Sequence, residues 1–148
     1  MASAATDAVD LLARTYADIH AVLAELDTEA EWAPTGCTGW SVRDLVQHLL
    51  GDARRALVAV GTPADRPPDT DAVSYWRAWT PGTEAASTER RLTRVVSGVW
   101  ATLEPLRSAY AEACAAAVHL LRLADPADPV ATQGHVLSVG DLTRTLVF

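Results

Sequence analysis

Apolar residues in the first part of the chain recur at Leu12, Tyr16, Ile19, Leu23 and Leu26, in steps of four, three, four and three. This spacing draws one stripe along a helix over Ala8 to Leu26, with Thr6 as its expected N-cap. The period is lost between Asp27 and Gly39, where Pro34, Gly36 and Gly39 mark a connection that Trp32 is expected to anchor in the core. A second helix opens sharply. Ser41 is followed three residues later by Asp44, a capping-box pattern, and Leu45, Leu49, Ala53, Ala56 and Val60 supply a buried face as far as about Val60.

From Gly61 to Ala86 the pattern is broken by Gly61, Pro63, Pro67, Pro68, Pro81 and Gly82, around one short helical piece at Ser74 to Trp79. This reads as a long crossover packed down as a lid, because Trp76 and Trp79 would otherwise leave large apolar surfaces in water. After Ser87, Leu92, Val96, Val99, Leu103, Leu106, Tyr110, Ala113, Ala117 and Leu120 keep one helical phase, which predicts a third helix and favours a kink at Pro105 over the alternative of a break there. Asp125-Pro126 and Asp128-Pro129 end it, and Val130 to Val136 reads as an extended connection carrying Gly134 and His135. Ser138 with Asp141 caps a fourth helix whose apolar run Leu146-Val147-Phe148 reaches the last residue. Such an end is expected to be cut short or covered by another chain, since the last four carbonyls of a helix need partners. Four amphipathic segments predict an all-α four-helix bundle, up and down, with the long crossover between helices two and three, as one domain over residues 1–148.

Composition narrows the function classes. The chain has 148 residues, enough to bury about 70% of its unfolded surface without a stapling metal or disulfide, so any metal would serve function. A net charge of -7 disfavours nucleic acid and anionic lipid, which call for a clustered positive stripe. No apolar run approaches the roughly 18 residues that span a bilayer, and Met1 to Asp10 lacks a secretory pattern. With two cysteines and no CxxC spacing, a reducing cytoplasmic setting is expected.

No GxGxxG, P-loop, GxSxG or HExxH run is present, so candidate chemistry falls to the histidines. His48 lies in the second helix with Asp44 and Asp52 one turn away on either side, an arrangement that holds a metal or a proton when the imidazole points inward. On spacing alone, a hydrogen-bonded packing role is the commoner one. His20 and His119 sit beside their stripes and read as solvated or interfacial, whereas His135, in a loop, is a candidate substrate contact. Trp32, Trp40, Trp76 and Trp79 are either core plugs or pocket walls. Arg43 opposes the dipole of the second helix and calls for an anionic partner; Cys37 reads as a small buried residue.

The stretch from Trp32 to Leu50, with Gly39-Trp40-Ser41-Val42-Arg43-Asp44-Leu45-Val46-Gln47-His48-Leu49 at its centre, resembles the signature of the mycothiol-dependent maleylpyruvate isomerase N-terminal family, part of the DinB-like helical superfamily. Val130 to Leu146 is similar to the entry into that family's fourth helix. The resemblance implies a four-helix bundle and a divalent metal, zinc above all, held by a histidine of helix two and a Glu-x-x-x-His pair of helix four. His48 matches the first ligand; the sequence stops at Phe148 without the pair, so no three-ligand set is assigned. The resemblance further implies mycothiol as thiol co-substrate and a small electrophile as partner, joined by thiol transfer or thiol-assisted isomerisation. Asp44 or Asp52 would orient His48, Trp40, Trp76 and Trp79 would wall the cleft, and His135 would stand close by. The alternative is a metal-free helical module that binds a partner or small ligand and forms a homodimer through the apolar end of helix four.

Overall fold

The computed structural model describes residues 2–80 and 82–147, with side chains from residue 8 onward. Along the chain run α1 (Ala2–Ala24), a single 3-10 turn (Ala30–Trp32), α2 (Val42–Val60), α3 (Ala72–Ala78), α4 (Glu84–Ser97) and α5 (Leu103–Leu123). Two strands follow, β1 (Pro129–Thr132) and β2 (His135–Ser138), and then α6 (Val139–Thr145). The described residues thus form six α-helices and a two-stranded sheet, a mostly helical fold where four helices and no sheet were expected.

The helix starts follow their caps. At α2 the Ser41 side chain accepts from the Asp44 N–H while the Asp44 carboxylate accepts from the Ser41 N–H, the reciprocal box read from the sequence. Ser138 caps α6, its side-chain oxygen accepting from the Asp141 N–H at 3.0 Å while its hydroxyl donates to the Asp141 carboxylate. The expected cap at Thr6 is not used: α1 begins at Ala2, and Thr6, whose side chain lies outside the described ones, is inside it.

The long third helix is two helices. Gly98 ends α4 and Thr102 opens α5, which places Pro105 in the first turn of α5, where the missing N–H would have had no intrahelical partner. The proline therefore fits a helix start instead of kinking a continuous helix. The apolar phase runs on across the break only in sequence: Leu92 and Val99 face solvent, while Leu103, Leu106, Tyr110, Ala113 and Ala117 line the buried side of α5.

The expected extended connection is an antiparallel hairpin in which Val130 pairs with Leu137 and Thr132 with His135. Its two-residue turn places Gln133 at φ 47° and Gly134 at φ 83°, both left-handed, as a tight right-twisted hairpin requires. The crossover is ordered by this hairpin. Ala64 donates to the Pro129 carbonyl and Ala131 to Thr62 on one edge, and Asp69 donates to Val136 on the other.

In the core, α2 lies along α5, α1 packs on α5 and α6, and α3 packs on α6. Leu12, Leu50, Leu106, Leu137 and Leu142 are wholly buried, each contributing about 1.5–3 kcal/mol relative to exposure. Leu146 and Val147 are partly buried against this same core, so that part of the apolar end is covered by the chain itself; Phe148 lies outside the described residues. Trp32 is a correction: it is 63% exposed, and the neighbouring Glu31 turns inward instead. The reason is Arg43, whose guanidinium lies over the Trp32 ring at 4.7 Å and faces the Glu31 carboxylate at 3.9 Å.

Candidate functional site

The first turn of α2 is a structural joint. Asp44 accepts from the Ser41 N–H and hydroxyl, both at 2.9 Å, and from the hydroxyl of Ser97 at the end of α4. Burial pushes its carboxyl up, but the hydrogen bonds from Ser97 and Ser41 and the charge of Arg94 outweigh that and hold it below the usual carboxylate range. With both oxygens engaged there, Asp44 caps the helix and ties α2 to α4; the expectation that it orients His48 is not met. Arg43 finds the anionic partner its position demands in Glu31 and also donates to the Trp100 carbonyl. Trp100 in turn donates to Gln47 Oε1 at 2.8 Å.

One turn on, the buried face of α2 is centred on Val46, Leu50 and Ala53, whereas Leu45 and Leu49 are half-buried. At 100° per residue this rotates the buried stripe away from His48. The imidazole is therefore not directed inward: its side chain is 47% exposed. Its ring packs against the indole of the nearly buried Trp40, with centroids 5.0 Å apart, and its Nε2 stands 3.5 Å from Asp52 Oδ2. The other Asp52 oxygen is 3.6 Å from Arg55 Nε. Arg55 is covered by the ring of Tyr75, from α3, at 5.6 Å. Tyr75 donates to Gln133 in the hairpin turn and meets His135 edge-on at 6.0 Å, and His135 Nδ1 lies 3.5 Å from Asp69. Burial raises the Tyr75 hydroxyl, while the hydrogen bonds from Arg66 and the Val136 N–H lower the Asp69 carboxyl.

A polar band thus runs from Trp40 and His48 through Asp52, Arg55 and Tyr75 to His135. Of the residues singled out from sequence it gathers His48, Asp52, Trp40 and His135. Trp76 touches it only through an edge contact with Tyr75 at 5.3 Å, and Trp79 is exposed, so neither closes a cleft as a packed lid would. Arg55, Tyr75 and Gln133 were missed. Arg55 was within reach of sequence reasoning, three residues after Asp52 on one helix face, whereas Tyr75 and Gln133 meet across 58 residues.

Behind the band lies a second group. Tyr16 and Tyr110 cross edge-on at 6.0 Å with both hydroxyls buried and unpartnered among the described residues. Burial, then the neighbouring Cys114, push both hydroxyls far up. Tyr110 and Cys114 adjoin one turn apart without a well-formed hydrogen bond, and burial pushes the Cys114 thiol up to about 12. His20, half-buried, leans on the Tyr110 ring at 4.9 Å, and burial lowers its pKa. Both cysteines are free; Cys37 is exposed, contrary to the expectation of a small buried residue.

The donor set does not complete a zinc site. No group of three or more His, Cys, Asp or Glu side chains converges among the described residues, and His48 with Asp52 supplies two donors where a catalytic zinc takes three from the protein. Also among the described residues, no helix is long and apolar enough to cross a membrane.

A mostly helical fold carrying a histidine–carboxylate pair on α2 and a hairpin-buttressed crossover is the class of protein that these features define. The sequence matches the family described as mycothiol maleylpyruvate isomerase N-terminal domain over residues 12–148, and the chain belongs to that family. No curated protein and no solved structure matches it.

Proposed function

We propose that this chain is a thiol-handling helical unit that works with mycothiol and a small electrophile, and that the face around His48 is where the two meet. The observation that carries the reading is the family match, which takes in α2 and the whole polar band. In this reading an imidazole accepts the proton of the incoming S–H as sulfur bonds to an electron-poor alkene carbon and the π pair moves onto the adjoining carbonyl. Return of that proton to the neighbouring carbon gives the conjugate, which is transfer. Rotation about the new single bond followed by loss of the thiol gives an isomer. Asp52 steadies the imidazolium that forms in between, and Trp40 fixes the ring plane. The divalent metal that the resemblance implies would stabilise a thiolate when bound, but two donors do not hold it and no step here depends on it. The two free thiols agree with a reducing, cytoplasmic setting.

Mycothiol titrated into the protein by calorimetry should give saturable binding. Consumption of mycothiol with an activated alkene should be accelerated by wild type and slowed about 10²–10⁴-fold in His48→Ala. Absence of both binding and acceleration sinks the reading. A second one is favoured by the engagement of His48 with Trp40 and Asp52: a metal-free helical module that binds ligand or pairs with a second copy without catalysis. It predicts binding with no acceleration.

A further inference from the structure

The charges of α4 are sorted by sign along the helix. Glu84 and Glu89 occupy its first half, and Arg90, Arg91 and Arg94 its second. Neither glutamate has an arginine three or four residues further on, the spacing at which side chains meet on a helix surface. Among the described residues no carboxylate pairs with Arg91 or Arg94 and no arginine with Glu84 or Glu89, whereas Arg122 and Arg144 each close on a carboxylate at 2.9 Å.

The same helix has an apolar face that the fold leaves open. It packs chiefly on α2 and turns Ala86 and Ser97 inward. On the opposite side Ala85, Thr88, Leu92 and Val95 succeed one another at steps of three, four and three, all of them exposed. That is the spacing of a seam between two packed helices. Leu92 is 59% exposed and Val95 71%, far more open than a seam of this kind is left in a finished assembly.

Size and charge change together along this face: small residues and glutamates come first, large residues and arginines second. The surface that matches it is the same face running the other way. In an antiparallel pair Leu92 and Val95 of one copy seat against Thr88 and Ala85 of the other, large on small, while Glu84 lies beside Arg91 and Arg94. A two-fold axis makes both sets of contacts at once. A parallel copy would set arginine on arginine, and an anionic bilayer would meet the glutamates as well as the arginines.

We propose that α4 is the interface of a two-fold homodimer in which the helices of two copies pack antiparallel through Leu92 and Val95. With 14 residues the helix is about 21 Å long, so the contact is small and the dimer reversible. The inference does not rest on the thiol chemistry above and uses a different surface from the apolar end of α6.

Sedimentation of the whole chain at concentrations up to about 1 mM, which captures even weak association, should show a reversible monomer–dimer equilibrium. Val95→Asp puts a carboxylate into the seam and should leave a folded monomer. Arg91→Glu with Arg94→Glu, and separately Glu84→Arg with Glu89→Arg, each reverse the charge of one half of α4. Each charge variant should be monomeric alone, and an equimolar mixture of the two should restore a dimer. A wild type that stays monomeric overturns the proposal whether or not the variants fold. So does a dimer that persists in folded Val95→Asp, as pairing through α6 would, or a mixture of folded charge variants that does not associate.

Discussion

Asp44 shows how one side chain sets the acid stability of this fold. Its carboxyl is lower in the folded chain than the roughly 3.9 of an unfolded aspartate. The stability it contributes is therefore complete above that unfolded value and is lost as pH falls through the folded one. Asp44→Asn should cost on the order of 1 kcal/mol at neutral pH and flatten the loss of stability below about pH 4, as read from urea melts at a series of pH values. An acid limb identical to wild type would remove Asp44 from this role. The two thiols give a second check. Cys37 is exposed, whereas Cys114 is buried with its thiol pushed up to about 12. Maleimide in the cold should label one thiol in the native protein, at Cys37, and both after denaturation; prompt double labelling of the native state would contradict the burial of Cys114. At this scale sequence reading found Ser41, Asp44 and Asp52 because caps and one-turn neighbours are local. It set the buried stripe of α2 on Leu45 and Leu49, which are half-buried, where Val46 and Leu50 are enclosed, because that stripe is set by what packs on the helix.

Element boundaries were legible where a cap announces them. The starts of α2 and α6 were readable, since each cap is a side chain meeting a backbone N–H three residues on; the short piece within the crossover was placed at Ser74 to Trp79, whereas α3 starts two residues earlier behind an unread cap at Asp71. The hairpin was not legible. Its turn, Gln133-Gly134, lacks the Asn or Asp that usually marks a left-handed pair, and its strands pair with crossover residues more than 60 positions earlier. The α4–α5 break was hidden because Pro105 was weighed as an interior residue when it is a first-turn one. Pro105→Ala should therefore shift stability by no more than about 1 kcal/mol, whereas a proline buried inside a helix is worth about 3. Gly134→Ala should cost about 1–2 kcal/mol by strain alone, since its φ is 83° and nothing lies within 4 Å of an added Cβ. Thermal melts followed by far-UV circular dichroism check both. A large loss at Pro105 would mean that its first-turn placement matters for more than start geometry.

For the molecule as a whole, the helical class and the family were legible from a 19-residue signature around His48. The polar band was not, because it is assembled by α3 and the hairpin turn from parts of the chain whose meeting no local pattern encodes. With two donors at His48 and Asp52, the purified chain should hold zinc well below one equivalent by elemental analysis, and His48→Ala should not change that. Stoichiometric zinc lost on that substitution would restore the metal reading and identify further donors as necessary.

The placement of the indoles has a practical corollary. Of five tryptophans, Trp32, Trp76 and Trp79 already stand in solvent in the native fold, and Trp40 is enclosed beside an imidazole. Emission from such a set is dominated by rings whose surroundings hardly change when the chain opens. Intrinsic fluorescence would then change with only a small amplitude on unfolding, while the midpoint and steepness of a two-state transition would stay the same.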